Sequence, residues 1–347
     1  MDDAETRVRA AFGVQAGWNR RLGADFTARL CDLLGGLLDR STATGARILD
    51  WPGDPFADAL MLRLTGGLNA LVRSGDLPGL AALYPPHPDP SDADLAAALA
   101  TALHDDRLLP WLDSAPQTNE VARSGVLMPG LLTIAAHTRL PLALFELGAS
   151  AGLNLRLDAY RYTLGGIDFG PADAPLHLAP EWEGPPPPAG NLRVVARRGV
   201  DLIPLDVRDP AQRDRLLAYV WPEQVARIAR LNAALDAAAA DPPPVDAGDA
   251  AAWVEAHVAP VEGRCGVVFH SIAFQYFPSE TQARIAAHMA AHGALATPSA
   301  PLAWLRFELE QADAGAPPTL RLTLWPGGDG RRLAHAHPHG VSVRWLG

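Results

Sequence analysis

The sequence predicts an α/β protein: a mostly parallel sheet that ends in antiparallel strands, preceded by a helical region. Three observations predict this fold class. Apolar residues recur three and four apart from Val8 to about Ala136, which is the period of a helix. From Pro141 onward, short apolar runs alternate with helical segments, as in a sheet with crossover helices. The final apolar runs have no helix-length segment between them, which favours antiparallel pairing.

The helical region is predicted to fill residues 1–118 and to act as a cap on an α/β domain at residues 119–347. The helical period is clearest in FTARLCDLLGGLLDR, DALMLRLTGGLNALVR and DADLAAALATALHDD. Pro and Asp in linkers such as YPPHPDPSDAD end one helix and cap the next. One segment, RILDWPG, is a possible strand.

The α/β domain is predicted to begin with four strands. PLALFEL is the first, with a helix starting in GLNLRLDAYR; NLRVVARRGVDL is the second, PPPVDAGDAAAWV gives the third, and RCGVVFHSIAFQYFP is the fourth. A Pro-rich stretch at about 165–190 is predicted to be an inserted hairpin or surface loop outside the sheet. A helix is predicted from DPAQRD to DAAAA, broken near Pro222. PLAWLRFELE, TLRLTLWPGGDG and HGVSVRWL complete the sheet.

Composition excludes several classes of protein. A chain of 347 residues with 48% apolar and 20% charged residues can bury a sizeable core. The formal net charge is -10 without any basic run, so we expect no nucleic-acid partner. All 29 basic residues are Arg, which excludes a P-loop lysine or a Schiff-base lysine.

The two cysteines, the N-terminal segment and the hydropathy indicate the compartment. Cys31 and Cys265 lie far apart and outside any C-x-x-C pair, so neither a zinc ribbon nor a disulfide framework is predicted. The charged start MDDAETRVRAAF does not resemble a signal peptide, and no apolar run is long enough to span a membrane. We therefore predict a cytoplasmic protein without a membrane partner.

The stretch LFELGASAGLNL allows two functions. As G-x-S-x-G it would be the nucleophile elbow of a serine hydrolase that uses Ser150, with Asp249 and His339 in a permitted chain order. That reaction also needs an oxyanion loop from an earlier strand, and almost only helix precedes Ser150. Dinucleotide binding is disfavoured, because G-x-G-x-x-G would require glycine where Ser150 and Leu153 stand.

As E-x-G-x-S-x-G, the same stretch is a cofactor loop at the end of the first strand, with Glu146, Gly148, Ser150 and Gly152 in place. Small residues let the backbone approach a ligand at a helix start. Asp201 ends the second strand, Asp249 follows the third, and His270 ends the fourth. Polar groups at successive carboxyl ends are expected for one ligand that lies across a switch point.

These residues resemble the class I S-adenosylmethionine-dependent methyltransferases. More closely, a set of stretches across most of the chain resembles the bacterial family called domain of unknown function 2332: NEVARSGVLMPGLL, ELGASAGLNL, RRGVDLIPLDV, YVWPEQ, VVFHSIAFQY and HPHGVSVRW. The first resemblance implies a Rossmann-like sheet and S-adenosylmethionine as cofactor. It implies that the loop from Glu146 to Gly152 shapes the methionine end, that Asp201 takes the ribose and that Asp249 lies by the adenine. Ser150 departs from the common glycine.

Acceptor-site residues are expected after the fourth strand, where class I enzymes present groups to the acceptor. His270 and Tyr276 are the catalytic candidates, with His270 as a base. Four residues are candidates for substrate binding: Asn119, Glu120, Ser271 and Gln275. Helix capping is the alternative for both later aspartates, and a structural role is the alternative for His270. No metal site is predicted, since no carboxylate completes a set with the histidines of HAHPHG.

The sequence thus predicts a methyltransferase that uses S-adenosylmethionine on a small-molecule or protein acceptor. A serine hydrolase and a non-catalytic nucleoside-binding module of the same fold are the alternatives. Neither the acceptor nor the oligomeric state follows from the residues.

Overall fold

The chain forms two compact units in this computed structural model, which describes residues 3–87, 89–310 and 316–347. The first unit comprises Met1–Thr118 and Pro210–Ala229, and the second comprises Asn119–Asp209 and Arg230–Gly347. No helix among the described residues is long and apolar enough to cross a membrane.

The first unit is helical, as its periodicity indicates. Its core contains Phe12, Leu34, Leu64 and Leu68, none of which is exposed to solvent. Burying such apolar side chains is the main favourable term in folding. The helices are α1 Asp3–Arg21, α2 Asp25–Leu37, α3 Ala43–Leu49, α4 Leu60–Arg73, α5 Pro78–Ala81, α6 Asp92–Ala102, α7 Leu109–Leu112 and, further along the chain, α9 Pro210–Ala218. The possible strand in RILDWPG is wrong, because those residues end α3 and follow it.

Residues 210–229 belong to the first unit, although the sequence boundary placed them in the α/β domain. Asn69, a buried residue of α4, donates through Nδ2 to the carbonyl oxygens of Ala218 and Val220, both at 3.0 Å. Glu223 accepts from the backbone N–H and the hydroxyl of Thr27, both at 2.8 Å. The apolar period of this segment predicted a helix but could not show these polar partners.

The second unit contains a nine-stranded sheet in the order β5-β12-β11-β10-β9-β8-β1-β6-β7. Its strands are β1 Leu142–Leu147, β5 Glu181–Glu183, β6 Val194–Asp201, β7 Val245–Ala247, β8 Cys265–Ser271, β9 Leu302–Glu308, β10 Thr319–Trp325, β11 Gly330–Ala336 and β12 Ser342–Trp345. A separate small sheet holds β2 Arg161–Leu164, β3 Ile167–Phe169 and β4 His177–Leu178.

The five strands from β7 to β9 are parallel, and β9 to β12 pair antiparallel. If these five strands are numbered by their order along the chain, they lie across the sheet, from β7 to β9, in the order third, second, first, fourth and fifth. The order therefore reverses between β1 and β8, which is a switch point of the kind where α/β sheets bind ligands. A mixed α/β fold with a large, mostly parallel sheet is confirmed.

Helices cover both faces of this sheet. On one face α8 Ser124–Thr138 packs against β9, β10 and β11. On the other face α11 Ala250–His257 and α12 Ser279–Gly293 share a core with the sheet, in which Val254, Ile285 and Met289 pack with Leu147 and Val268. The helix α10 Val225–Ala240 begins in the first unit and continues into the second.

One local prediction in this unit holds only in part and one is wrong. A helix does start in GLNLRLDAYR, but it is a short 3₁₀ helix, Leu153–Ala159. The hydroxyls of Tyr160 and Tyr162 donate to the carbonyls of Leu153 and Leu157, so side chains occupy acceptors that an α-helix would use. The Pro-rich stretch lies partly inside the sheet, because β5 pairs in parallel with β12 at the sheet edge.

Candidate functional site

Glu146 lies at the carboxyl end of β1, next to the switch point. Phe145 and Leu147 face α11 and α12 in the core, so alternation along the strand turns Glu146 toward the α8 face. The Glu146 side chain is buried, and its Oε2 has no hydrogen-bond partner. A buried polar atom without a partner is costly and points to strain, to water or to a ligand.

Glu146 is held in an unusual electrostatic state. Burial raises its pKa well above the usual range, and the nearby carboxylate of Asp201 raises it further. Hydrogen bonds from Asn154 and from the Leu155 N–H, together with the charge of Arg123, oppose this rise. The arrangement therefore favours a neutral Glu146, unless a cation or a hydrogen-bond donor comes beside Oε2.

The loop after β1 is held by the second strand of the switch point. The backbone N–H of Ser150 donates to Oδ2 of Asp201 at 2.8 Å, and the N–H of Ile203 donates to Oδ1 at 3.0 Å. Ser150 has a φ of 54°, a left-handed conformation that is uncommon outside glycine, and its buried Oγ has no partner. Asp201 thus fixes a strained loop beside Glu146.

Neighbouring protein atoms leave no room for a side chain at the two loop glycines, Gly148 and Gly152. A Cβ on Gly148 would lie 2.8 Å from the Cβ of Ala273, and one on Gly152 would lie 2.7 Å from Cγ of Pro243. Both glycines have positive φ, 65° and 70°. The E-x-G-x-S-x-G spacing therefore reflects close packing of the loop after β1 against the loop after β8 and against the residues that lead into β7, as well as any ligand.

The segment before α8 supports the same loop. Oδ1 of Asn119 accepts from the N–H of Leu153 at 2.9 Å. Oε1 of Glu120 accepts from the N–H of Ala122 at 3.0 Å, and Arg230 lies 3.7 Å from it. Asn119 and Glu120 therefore come to the site as supports for its backbone.

Arg123, Ser124 and Asn154 complete this cluster. The Oγ of Ser124, which begins α8, donates to Oδ1 of Asn154 at 2.7 Å. Nη1 of Arg123 donates to the carbonyl of Ser271 at 2.9 Å, which brings the end of β8 into the cluster. The sequence prediction missed Arg123 and Asn154. A basic residue next to Ser124 and an amide inside ELGASAGLNL were the available signals.

His270 does not have the arrangement expected of a free base. It shares the opposite sheet face with Val268 and is fully buried. Its Nε2 lies 3.1 Å from Nε1 of Trp304, an obligate donor, so Nδ1 carries the proton and donates to Oε1 of Glu308 at 2.6 Å. With both ring nitrogens occupied, this geometry favours the structural alternative for His270. Glu308 was not singled out from the sequence, although it ends a parallel strand.

The remaining predicted residues lie outside the Glu146 cluster. Asp249 caps α11 by accepting from the N–H of Ala252 at 2.9 Å, and it also accepts from the Thr281 hydroxyl at 3.3 Å. The Asp249 carboxylate therefore acts as a helix cap, which was the alternative to cofactor binding. Gln275 is exposed, and 75% of the Tyr276 surface is exposed, so neither side chain is enclosed in a site.

The family of the chain follows from comparison with known proteins. A family model described as an uncharacterized protein conserved in bacteria, DUF2332, matches residues 9–345. The chain belongs to the DUF2332 family. No curated protein and no solved structure matches it.

In this DUF2332 chain, the geometry at Ser150 does not assemble a hydrolase dyad. Within the described residues no histidine bonds Ser150 Oγ, which is buried, whereas a serine nucleophile needs a base within hydrogen-bond reach. His339 instead donates its N–H to Nδ1 of His337 at 3.1 Å. Across the same described ranges, no group of three or more His, Cys, Asp or Glu side chains could hold a metal ion.

The histidines of HAHPHG lie at the far edge of the DUF2332 sheet, beside β5 and β12. A groove of about 600 Å³ is lined there by residues that include Trp182, His335, His337 and Arg344. None of the predicted site residues lines it. This groove is distinct from the Glu146 cluster.

Proposed function

We propose that this DUF2332 protein binds S-adenosylmethionine at the carboxyl edge around Glu146 and transfers its methyl group to a small-molecule or protein acceptor. One observation carries the proposal. Glu146 Oε2 and Ser150 Oγ are both buried without partners, and they lie at the end of the first strand beside the switch point. A ligand that supplies hydrogen-bond donors there would remove the cost of leaving both atoms unpaired.

Charge supports this ligand class over a dinucleotide. The charge of Asp201 adds a negative field at Glu146. A pyrophosphate would meet that field unfavourably, whereas an ammonium or sulfonium group would be attracted and would favour ionised Glu146. The methionine end of S-adenosylmethionine carries both cationic groups.

The residues of the cluster have distinct parts in the proposal. Bound S-adenosylmethionine supplies an activated methyl group, whose bond to sulfur breaks as the bond to the acceptor forms. Glu146 would hold the cationic end, and Ser150 Oγ would accept or donate one hydrogen bond. Asp201 keeps the loop in position through the Ser150 N–H. Asn119 holds the next turn through the Leu153 N–H.

The acceptor is proposed to be a nucleophile that needs no proton removed by His270. Both nitrogens of that ring are engaged, and methyl transfer needs a base only when the nucleophile must lose a proton. An unprotonated amine or a carboxylate meets this condition. The acidic balance of the chain favours a small molecule or a protein over nucleic acid.

Calorimetric titration of the full chain tests cofactor binding. We expect binding of S-adenosylmethionine and S-adenosylhomocysteine, and none of NAD. Glu146→Gln should weaken the adenosyl ligands by about tenfold or more, because a hydrogen bond to a charged group is lost. Glu255→Gln, on the exposed side of α11, is the matched control. Equal affinity in the Glu146 variant, or no binding at all, would contradict the proposal.

A nucleoside-binding module without turnover is a second candidate. It is favoured by the occupied His270 ring and by the use of Asp249 as a helix cap. Incubation with methyl-labelled S-adenosylmethionine and a bacterial metabolite extract distinguishes the two. Label transfer that Glu146→Gln reduces supports catalysis, and binding without any transfer supports the module.

A further inference from the structure

A second polar cluster lies on the sheet face opposite Glu146. Alternation along β9 places Trp304, Arg306 and Glu308 on one face, and Trp304 belongs to the core with α11 and α12. The guanidinium carbon of Arg306 lies 4.4 Å from the centre of a Trp304 ring. Its Nη2 donates to the Thr323 hydroxyl at 3.3 Å. Its Nε–H is buried and has no partner.

Glu308 is only half satisfied. Its Oε1 accepts from Nδ1 of His270 at 2.6 Å and from the N–H groups of Ala273 and Phe274 at 3.1 and 3.2 Å. Its Oε2 is buried and has no partner. Glu308 thus fixes the loop after β8 through Oε1, while Oε2 still lacks a hydrogen-bond donor.

Arg306 lacks a counterion. No ion pair joins it to Glu308 or to any other carboxylate in the ranges that the structure describes. Glu310 is already engaged by Arg321 and Arg332. Burial lowers the pKa of Arg306 and the charge of Arg321 lowers it further, while the charges of Glu310 and Glu308 oppose this fall. A partly buried guanidinium without an anion is unfavourable.

We propose that Arg306 and Glu308 form a binding site for a small zwitterion of the amino-acid type. Its carboxylate would pair with the Arg306 Nε–H side, and its ammonium would pair with Oε2 of Glu308. The two residues are two positions apart on one strand, so their Cα atoms are about 6.6 Å apart, which suits one small molecule. Both residues are partly exposed, although Arg306 Nε and Glu308 Oε2 are themselves buried, so a ligand enters as the side chains around these two atoms shift. The site does not depend on cofactor binding at Glu146.

The choice of a zwitterion follows from the pairing of opposite charges. An anion alone would pair with Arg306 but would be repelled by the Glu308 carboxylate. A cation alone would be repelled by the Arg306 guanidinium. A molecule with both charges satisfies each group, and the stacked Trp304 ring limits the space in which Arg306 moves.

Binding of a graded series of probes to the full chain tests the site. Glycine, β-alanine and γ-aminobutyrate offer the two charges at increasing separation, while acetate and methylammonium offer one charge each. We expect at least one zwitterion to bind in calorimetry and to raise the melting temperature. Each single-charge probe should bind at least about tenfold more weakly than that zwitterion.

Variants assign the binding to these two residues. Arg306→Gln and Glu308→Gln should each weaken the zwitterion by about tenfold or more. Arg321→Gln, which removes a nearby but paired guanidinium, and Glu146→Gln should leave it unchanged. Circular dichroism checks folding, and Arg306→Lys replaces the first variant if it fails to fold. No binding by any zwitterion, or equal binding in both test variants, would overturn the site and leave only buried water as the partner of these atoms.

Discussion

Replacing Glu146 by Gln should change how stability depends on pH. The pKa of Glu146 is raised in the folded chain, mainly by burial. Between the unfolded pKa of about 4.5 and the folded pKa, the folded state therefore holds one proton more than the unfolded state. The contribution of Glu146 to stability is complete below about pH 4.5 and is lost as pH rises through that window, by about 1.4 kcal/mol per pH unit. Glu146→Gln cannot titrate and removes this loss.

Urea unfolding of both proteins at about pH 5, 6 and 7 measures the effect. The free energy of unfolding of Glu146→Gln, relative to wild type, should increase as pH rises above about 4.5. Coincident fluorescence and circular dichroism curves check that the transition is two-state. Glu255→Gln is the control, because hydrogen bonds from Arg284 lower the pKa of that exposed carboxyl. Its contribution is lost as pH falls, which is the opposite sign. Parallel slopes for wild type and Glu146→Gln would refute the reasoning.

Three further predictions follow from the loops and from the second cluster. Gly148→Ala should cost more stability than Gly166→Ala in thermal unfolding, since both glycines have positive φ but only Gly148 has a close neighbour. Gly166→Ala should cost only about 1–2 kcal/mol. Equal losses in the two variants would contradict the contact at Gly148. Ser150 should not react with a fluorophosphonate probe. Labelling of the wild type that disappears in Ser150→Ala would instead support the serine-hydrolase alternative. Trp304→Phe should cost about 1–3 kcal/mol in urea unfolding, because Nε2 of His270 loses its donor in a buried site; an unchanged midpoint would place another donor there.

Local sequence patterns were sufficient for the strands that build the site. PLALFEL and RCGVVFHS are apolar and short, so they predicted the buried strands that became β1 and β8. The acids Glu146 and Asp201 could be placed at carboxyl ends because a strand that ends in a charge is easy to recognise. Parallel pairing of β1 and β6 brings Asp201 beside the loop that follows Glu146, where it accepts from the Ser150 N–H.

What the sequence could not show is which face each polar side chain takes. Glu146 and His270 both stand near the carboxyl edge, yet the strand alternation puts them on opposite faces. The partners of His270 come from β9, far along the chain, and no local pattern links Glu308 to it. Asp249 was ambiguous for a different reason: helix capping and ligand binding both favour an Asp at the start of a helix.

The division of the chain constrains the order in which it can fold during synthesis. Pro210–Ala229 belong to the first unit, yet they follow β1, β5 and β6 of the second unit in the chain. The Asn69 amide of the first unit meets its two carbonyl acceptors only after Val220 has left the ribosome. The helices made first therefore cannot complete their native contacts until β1, β6 and this segment have been synthesised. Cutting the gene at residue 118 would not separate the units cleanly, since the C-terminal piece would keep Pro210–Ala229, which belong to the first unit.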